Sequence, residues 1–378
     1  MKQEGRLRNS LKQVRTRKSM SQQDLATLAG VSRQTVSGIE SDLYAPTATV
    51  ALRMARALGC RVEDLFWLEE EGPDLEAVPA AGVAPGAEQR VTLARVAGRW
   101  VAHPLTGDLS FRQETIPADG TGSLDPVTGL MRVKVLDDYE TLAQTVLLAG
   151  CSPALSLWAQ AAERWNPGLR VHWTFANSMA ALQSLARGEV HAAGVHLYDE
   201  ATGEYNVPFV RQALPGRQVV LINLGVWEEG LLVRPGNPLG LRSAADLALP
   251  GVRLVNREAG SGSRQLLERA LSRERVACRA VQGFDRVVTS HTQVAREVAS
   301  SRADVGVSTA SVAAMYGLGF VPLQQVRYDM AVPKAYLDEP HVRELMSTLA
   351  HRRVRSQLEA LGGYNTDLTG EVVATVGP

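Results

Sequence analysis

The sequence predicts an α plus α/β protein: a small all-helical N-terminal domain, a β-rich connector and a large two-lobed α/β domain. Three observations predict it. Apolar residues recur at helical spacing from Glu4 to Phe66. Periodicity then fails over residues 69–89, where the chain turns acidic and then rich in Ala, Pro and Gly. From Thr141 onward, strand-like and helix-like runs alternate in two successive series, the pattern of parallel βαβ units. The expected boundaries are residues 1–68 for the helical domain, 69–89 for a linker, 90–140 for the connector and 141–378 for the two lobes.

Within the helical domain, Leu7, Leu11 and Val14 mark a first helix. Ser21-Gln22-Gln23-Asp24 opens a second that runs through Leu25 to Ala29, and Gly30-Val31 breaks its period. Ser32 starts a third with Val36 and Ile39 facing inward. Thr47 caps a fourth carrying Val50, Leu52, Met54, Ala55 and Leu58. After the linker, Arg90 to His103 reads as two strands around Ala97-Gly98, and Leu105 to Val127 is turn-rich.

The first α/β series comprises a strand Thr145–Ala149, a helix Ser152–Trp165, a strand Arg170–Phe175, a helix Ser178–Arg187 and a strand Val190–Leu197. The second comprises a strand Val252–Asn256, helices Ser263–Leu271 and Gln293–Ser300, and a strand Ala303–Ser308. Between the series, Val219–Leu224 and Gly230–Val233 are strand-like and suit a crossing between lobes. Two lobes joined by crossing strands enclose a cleft.

A chain of 378 residues suits two or three domains. The formal charge is zero overall, but between Met1 and Trp67 there are 11 Lys and Arg against 6 Asp and Glu. The excess gathers in Arg6, Arg8, Lys12, Arg15, Arg17 and Lys18, a candidate basic face for nucleic acid. Three separated cysteines, Cys60, Cys151 and Cys278, have neither zinc-finger nor disulfide-framework spacing. No run approaches the roughly 20 apolar residues of a membrane span, so a cytoplasmic protein without a membrane partner is expected.

The stretch Ser21 to Glu40, followed by Pro46, Ala51-Leu52, Ala57-Leu58-Gly59-Cys60 and Val62 to Phe66, resembles the Cro/repressor-like family of helix-turn-helix regulators, of xenobiotic-response-element type. The resemblance makes Ser32 to Ile39 a recognition helix and double-stranded operator DNA the partner. It implies base reading by Arg33, Gln34 and Ser37, beside Ser32, with Gln22 and Thr35 gripping phosphate. The chemistry agrees, because arginine forks to guanine and glutamine pairs with adenine. A homodimer is expected, since two recognition helices one DNA turn apart supply affinity that one lacks.

In the two-lobed domain, Val255-Asn256-Arg257-Glu258-Ala259-Gly260-Ser261-Gly262-Ser263-Arg264 leaves a strand, turns on glycines and enters a helix. That arrangement offers an anion backbone N–H groups and hydroxyls at a helix N-terminus. Gly150-Cys151-Ser152, Asn177-Ser178 and Thr289-Ser290-His291-Thr292 open three further helices. Together with Gly188 to Leu197 and Ala303-Asp304-Val305-Gly306, these motifs resemble the periplasmic-binding-protein-like domain of bacterial regulators, related to molybdate and tungstate binders. The resemblance implies an oxyanion held by Ser152, Ser178, Ser261, Ser263 and Thr292, with Arg257 or Arg264 adding charge. Cys151, Asn177 and Gly262 complete the candidate ligand site.

No cofactor is expected beyond a bound molybdate or tungstate. His196 and Asp199, at a strand end, are simplest as structural hydrogen-bonding partners. A carboxylate at the cleft instead favours a larger organic ligand such as a pterin, with Tyr198 or Tyr205 as a stacking wall. Trp158, Trp165 and Trp173 are simplest as core. An enzyme using Ser261 or Ser263 as nucleophile and His291 as base lacks both a Gly-x-Ser-x-Gly elbow and a completing acid, so a non-enzymatic sensor is expected. A DNA-bound scaffold with a vestigial cleft is a third class.

Overall fold

A computed structural model describes residues 6–18, 20–69, 75–81, 88–105 and 116–377. The chain divides into two compact units, Met1–Pro73 and Asp74–Pro378. The first contains β1 (Arg6–Asn9), α1 (Leu11–Arg17), α2 (Gln22–Ala29), α3 (Arg33–Glu40), α4 (Ala48–Leu58) and β2 (Phe66–Glu69).

Local chemistry sets the helix limits. Ser21, Ser32 and Thr47 accept hydrogen bonds from the amides of Asp24, Thr35 and Val50, and Ser21 and Asp24 form a reciprocal capping box. Gly30 ends α2 at φ 64°, which allows the tight turn into α3. Leu11, Leu25, Val36, Ile39, Met54 and Leu58 fill the core. Two expectations change here. Leu7 lies on β1, paired with β2, rather than on the first helix, and Leu52 points to solvent at 62% exposure.

The second unit begins with a closed barrel: β3 (Leu75–Pro79), β4 (Gln89–Val96), β5 (Arg99–Pro104), β6 (Gly120–Leu124) and β7 (Met131–Val135), in the order β3-β5-β4-β6-β7. Residues 75–79, read as linker, are therefore a barrel strand. The short apolar run Leu75, Ala77 is too brief for periodicity to reveal, and its inward faces pack on Val91, Leu93 and Met131. Of the rest of the expected linker, residues 70–74 and 82–87 lie outside the described residues, as does part of the turn-rich stretch, 106–115, while Glu69 ends β2 and Gln89 opens β4.

The lobes follow as α5 (Tyr139–Ala143), β8 (Thr145–Gly150), α6 (Pro153–Trp165), β9 (Arg170–Phe175), α7 (Ser178–Arg187), β10 (Ala192–Val195), β11 (Tyr198–Asp199), β12 (Glu204–Tyr205), α8 (Val207–Ala213) and β13 (Val219–Val233). Then come β14 (Leu254–Arg257), α9 (Gly262–Arg273), β15 (Val287–Val288), α10 (His291–Ala299), β16 (Val305–Thr309), α11 (Ala310–Met315) and β17 (Gly319–Pro333). The chain closes with α12 (Pro340–Thr348), α13 (Arg352–Ala360), β18 (Tyr364–Asn365) and β19 (Val372–Val376).

One sheet runs β15-β14-β16-β13-β17-β10-β8-β9. Lobe 1 is built on β8, β9 and β10, and lobe 2 on β14, β15 and β16. The two strand-like runs expected to cross between lobes are a single 15-residue strand, β13, paired antiparallel with the equally long β17. Register shifts at Asn223/Gly225 and Glu229/Gly230 bend this pair where it passes from lobe to lobe. Among the described residues, no helix is long and apolar enough to cross a membrane.

Candidate functional site

On the helical unit, α3 presents Ser32, Arg33 and Gln34 fully to solvent, with Thr35 and Ser37 half-buried. Its other face carries Val36, Gly38 and Ile39 into the core. Gln22 does not hang free, because its amide donates to Glu40 at 2.8 Å. Arg15 is also committed, forking onto Glu40 at 2.6 and 3.1 Å and donating to the Met20 carbonyl. It therefore fastens α1 to the end of α3 instead of joining the basic face. Lys12 and Lys18 remain exposed on that face, while the side chains of Arg6 and Arg17 lie outside the described residues.

In the second unit the lobes meet in a closed arrangement. The Met179 amide at the start of α7 donates to Gly260 of lobe 2, and the Asn177 amide group reaches Ala259 at 3.4 Å. Arg269 of α9 donates to Tyr198 and stacks over its ring. Gly262 is the tightest point, since a Cβ there would stand 2.3 Å from the His196 carbonyl oxygen.

Between the lobes lies a buried polar chamber. Cys151 and Ser178 enter it from the β8–α6 and β9–α7 turns, and His196 from the end of β10. Trp227 and Glu229 come from β13, Arg257 from β14, Ser263 from α9, and His291 from the first position of α10. Tyr328 of β17 stacks on His196 at 5.6 Å; its hydroxyl occupies the space that side chains at Gly150 and Gly194 would need.

Some of these groups are paired. Ser178 lies 3.2 Å from His196 Nδ1, Ser308 lies 2.9 Å from His291 Nδ1, and Ser263 donates to Glu229. Arg257 forks onto Glu258 at 2.9 and 3.1 Å. Yet among the described residues six atoms around His196 have no hydrogen-bond partner: His196 Nε2, His291 Nε2, Glu229 Oε2, Arg257 Nη1, Trp227 Nε1 and the Tyr328 hydroxyl. An unpaired buried polar atom costs about 1–3 kcal/mol, so six together approach the net stability of a whole domain, about 5–15 kcal/mol. A cluster of such atoms marks a candidate ligand site.

Electrostatics follow from the burial. It pushes His196 down to about 3, with the Arg257 and Arg269 charges adding to it, and drives His291 well below its ordinary value. It raises Glu229 and pushes the Cys151 thiol up to about 12. Both histidines are neutral at neutral pH, and a thiol this buried ionises only for a cation.

The expected ligand residues divide. Cys151, Ser178, Arg257, Gly262 and Ser263 gather at the chamber. Ser152 caps α6 and faces the Tyr364 hydroxyl, Asn177 caps α7, and Ser261 caps α9 while donating to the Glu258 carbonyl. Arg264 is drawn off by Glu268 and by the face of Phe284. Thr292 lies on a more open cleft of about 800 Å³ with Arg164, Trp165, Trp173 and Arg296, which extends to Cys151 and His291. Trp158 is core, and Trp165 and Trp173 pack against that core while also lining the cleft. Tyr198 and Tyr205 pack on each other in the β11–β12 hairpin, and Asp199 holds its turn through Ala201 and Thr202. His291 is hydrogen-bonded to Ser308, not to either serine weighed as a nucleophile.

Residues 159–350, half of the chain, match the family described as PBP superfamily domain, and residues 11–65 match a helix-turn-helix family. The chain belongs to the PBP superfamily, with a helix-turn-helix fused ahead of that domain. The uncharacterised protein YvgK of Bacillus subtilis is 35% identical over 199 residues, covering 53% of this chain and 64% of YvgK. The chain therefore spans just under two thirds of that relative. YgzD of the same organism, an uncharacterised HTH-type transcriptional regulator, is 43% identical over 65 residues, 17% of this chain and 98% of its own. A phosphate-bound putative ABC transporter substrate-binding protein of Clostridium perfringens superposes at TM-score 0.45 and 11% identity, over 58% of this chain and 98% of that one.

Several groups of the PBP domain's chamber escape a reading by motif. Glu229 sits in the interruption, Trp227-Glu228-Glu229, that split β13 into two apparent runs, and an acid breaking an otherwise apolar strand was the available signal. Tyr328 lies on β17, beyond the last element that the alternating pattern defines. His196 was visible, but not its convergence with His291 from the other lobe.

Proposed function

We propose that the protein is a ligand-responsive, DNA-binding transcription regulator that works by binding and not by catalysis. The helical unit reads an operator through α3, and the PBP domain closes its lobes on a small polar ligand whose presence alters operator binding. The observation that carries the ligand half is the set of six unpaired buried polar atoms held between touching lobes. The exposed Arg33 and Gln34 on a capped helix, together with the helix-turn-helix family match, support the DNA half. A homodimer belongs to this reading, and the exposed Leu43 and Leu52 offer apolar surface to a second copy.

A tetrahedral oxyanion, molybdate or tungstate, is a second and finer reading of the ligand, favoured by the unpaired Arg257 Nη1. Two features oppose it. Glu229 Oε2 would face a dianion without a proton of the ligand's to accept. The N-terminus of α6, expected to cradle the anion, has the Tyr328 hydroxyl packed just ahead of it, where a side chain at Gly150 would stand.

The test selects duplexes from a random library with the full-length protein, then repeats binding with added zinc, molybdate or tungstate. A short symmetric site is expected, lost on Arg33→Ala and Gln34→Ala, with affinity that changes when ligand is present. Absence of any selected sequence would sink the DNA half; operator binding indifferent to a ligand that demonstrably binds would sink the switch.

A further inference from the structure

We propose that the chamber is a binding site for a borderline transition-metal dication of the zinc class, held by Cys151, His196, His291 and Glu229. The inference rests on the reading of the chamber as the ligand site, and names the occupant.

Cys151 Sγ and one ring nitrogen from each histidine all lie within 4.8 Å of one another, and all three residues are buried. Glu229 Oε2 stands 3.9 Å from His196 Nε2. Zinc bonds of about 2.0–2.3 Å place tetrahedral ligands roughly 3.4–3.7 Å apart, so a 4.8 Å separation closes with about 1.1–1.4 Å of inward movement. Both Nε2 atoms and Oε2 lack partners; Cys151 Sγ stands 3.7 Å from His196 Nδ1, so that ring turns on binding to bring its Nε2 to the same ion as the sulfur.

The outer contacts are those a metal site requires. Ser308 at His291 Nδ1 turns that ring's Nε2 inward, and Ser178 at His196 Nδ1 gives the second imidazole an outer partner. Ser263 holds the other oxygen of Glu229.

Charge decides between a cation and an anion. Arg257 is the obvious objection to a metal, but Glu258 forks onto it and cancels it. Glu229 and a Cys151 thiolate then balance a dication, and Arg269, whose charge also reaches His196, has Glu200 4.0 Å away. A dianion in the same place leaves the carboxylate's charge and its own uncompensated in a low-dielectric space, where unpaired charge is most costly. On binding, the thiol gives up its proton to solvent and the sulfur lone pair goes to the metal. One sulfur, two imidazoles and one carboxylate suit zinc, cobalt or copper better than magnesium or calcium.

A second cluster, His191, Glu339 and His341, has similar residue types and is not equivalent. His191 Nδ1 accepts from the Leu147 amide at 2.9 Å, so its proton sits on Nε2, which donates to the Arg95 carbonyl. Neither nitrogen is free to ligate.

The test titrates cobalt(II) into full-length protein stripped with chelator and kept reduced. One equivalent is expected to give visible bands of a four-coordinate site and a near-ultraviolet thiolate-to-cobalt band, both bleached by zinc. Cys151→Ser should lose the thiolate band, and Ser308→Ala, which leaves every ligand in place, should weaken zinc binding roughly 10–100-fold. Melting of each variant without metal reports that it folds. Absence of the bands, or their persistence in Cys151→Ser, overturns the metal site. If molybdate or tungstate then raises the melting temperature, only the metal inference falls. If no ion does, the chamber reading falls with it.

Discussion

Gly262 sets how closely the two lobes approach, which makes Gly262→Ala a measurement of closure. The added carbon would lie 2.3 Å from the His196 carbonyl oxygen and 2.5 Å from its Nε2. Carbon contacts settle near 3.5 Å, so about 1 Å of separation is needed. The backbone oxygen cannot rotate away, and the imidazole is confined by Tyr328 and Trp227. Overpacking of this size costs about 1–3 kcal/mol, and it falls on the closed form alone. Within α9 itself alanine is a better helix former than glycine, by up to about 1 kcal/mol. Ligand affinity should therefore drop about 5- to 150-fold, while melting without ligand stays near that of the unaltered protein. Isothermal titration of both proteins with zinc, and separately with molybdate and tungstate, reads the ratio for whichever ion binds. Equal affinity in the two proteins would mean that the lobes do not meet on this contact when ligand is present, and the closure argument would fail.

Glu229→Gln keeps the shape of the side chain and removes its charge; it should abolish zinc binding yet strengthen any oxyanion binding, so two titrations tell which class of ion the chamber takes. Arg15→Met leaves the Glu40 carboxylate, whose side chain is only 3% exposed, with the Gln22 amide as its remaining side-chain donor, and should destabilise the helical unit by about 2 kcal/mol; a change below about 0.5 kcal/mol in urea unfolding would contradict that role. Burial holds His191 at about 4 against 6.5 in the unfolded chain, so acid protonates the unfolded state first. Its stabilisation is whole above about pH 6.5 and falls as the pH drops, by about 3 kcal/mol at pH 4. His191→Gln should start less stable at neutral pH, having lost the acceptor for Leu147, and then lose less on acidification; parallel pH profiles would refute the assignment.

Much of the architecture was legible because the alternation of apolar runs is driven by burial. The strand Arg170–Phe175 and the helix Ser178–Arg187 have the limits that their sequence implies. Capping residues mark α2, α3, α4 and α6 for the same reason, since a hydroxyl or carboxylate at the start satisfies amides that nothing else reaches. What was not legible depended on distance along the chain. The strand Leu75–Pro79 is too short to announce itself and is stabilised by partners near residues 101 and 133. The chamber draws on His196, Glu229, Arg257 and His291, each unremarkable in its own segment and meaningful only when opposed lobes bring them together. Motifs at helix starts pointed to the right turns, but Tyr328 and Gly260, which face the α6 and α7 termini, carry no local signature.

The barrel's attachments bear on how a message leaves the chamber. Polar contacts tie it to lobe 1: His103 with the Glu189 carbonyl, His191 with the Arg95 carbonyl, and Asp119 with Arg170 of β9. Under the proposed lobe closure, barrel and first lobe would move together against lobe 2. In mechanical language the barrel is then the handle of the stationary jaw, and α9 and α10 belong to the moving one. On that proposal, substitutions that loosen His103 or Asp119 should uncouple operator binding from ligand binding while leaving each intact.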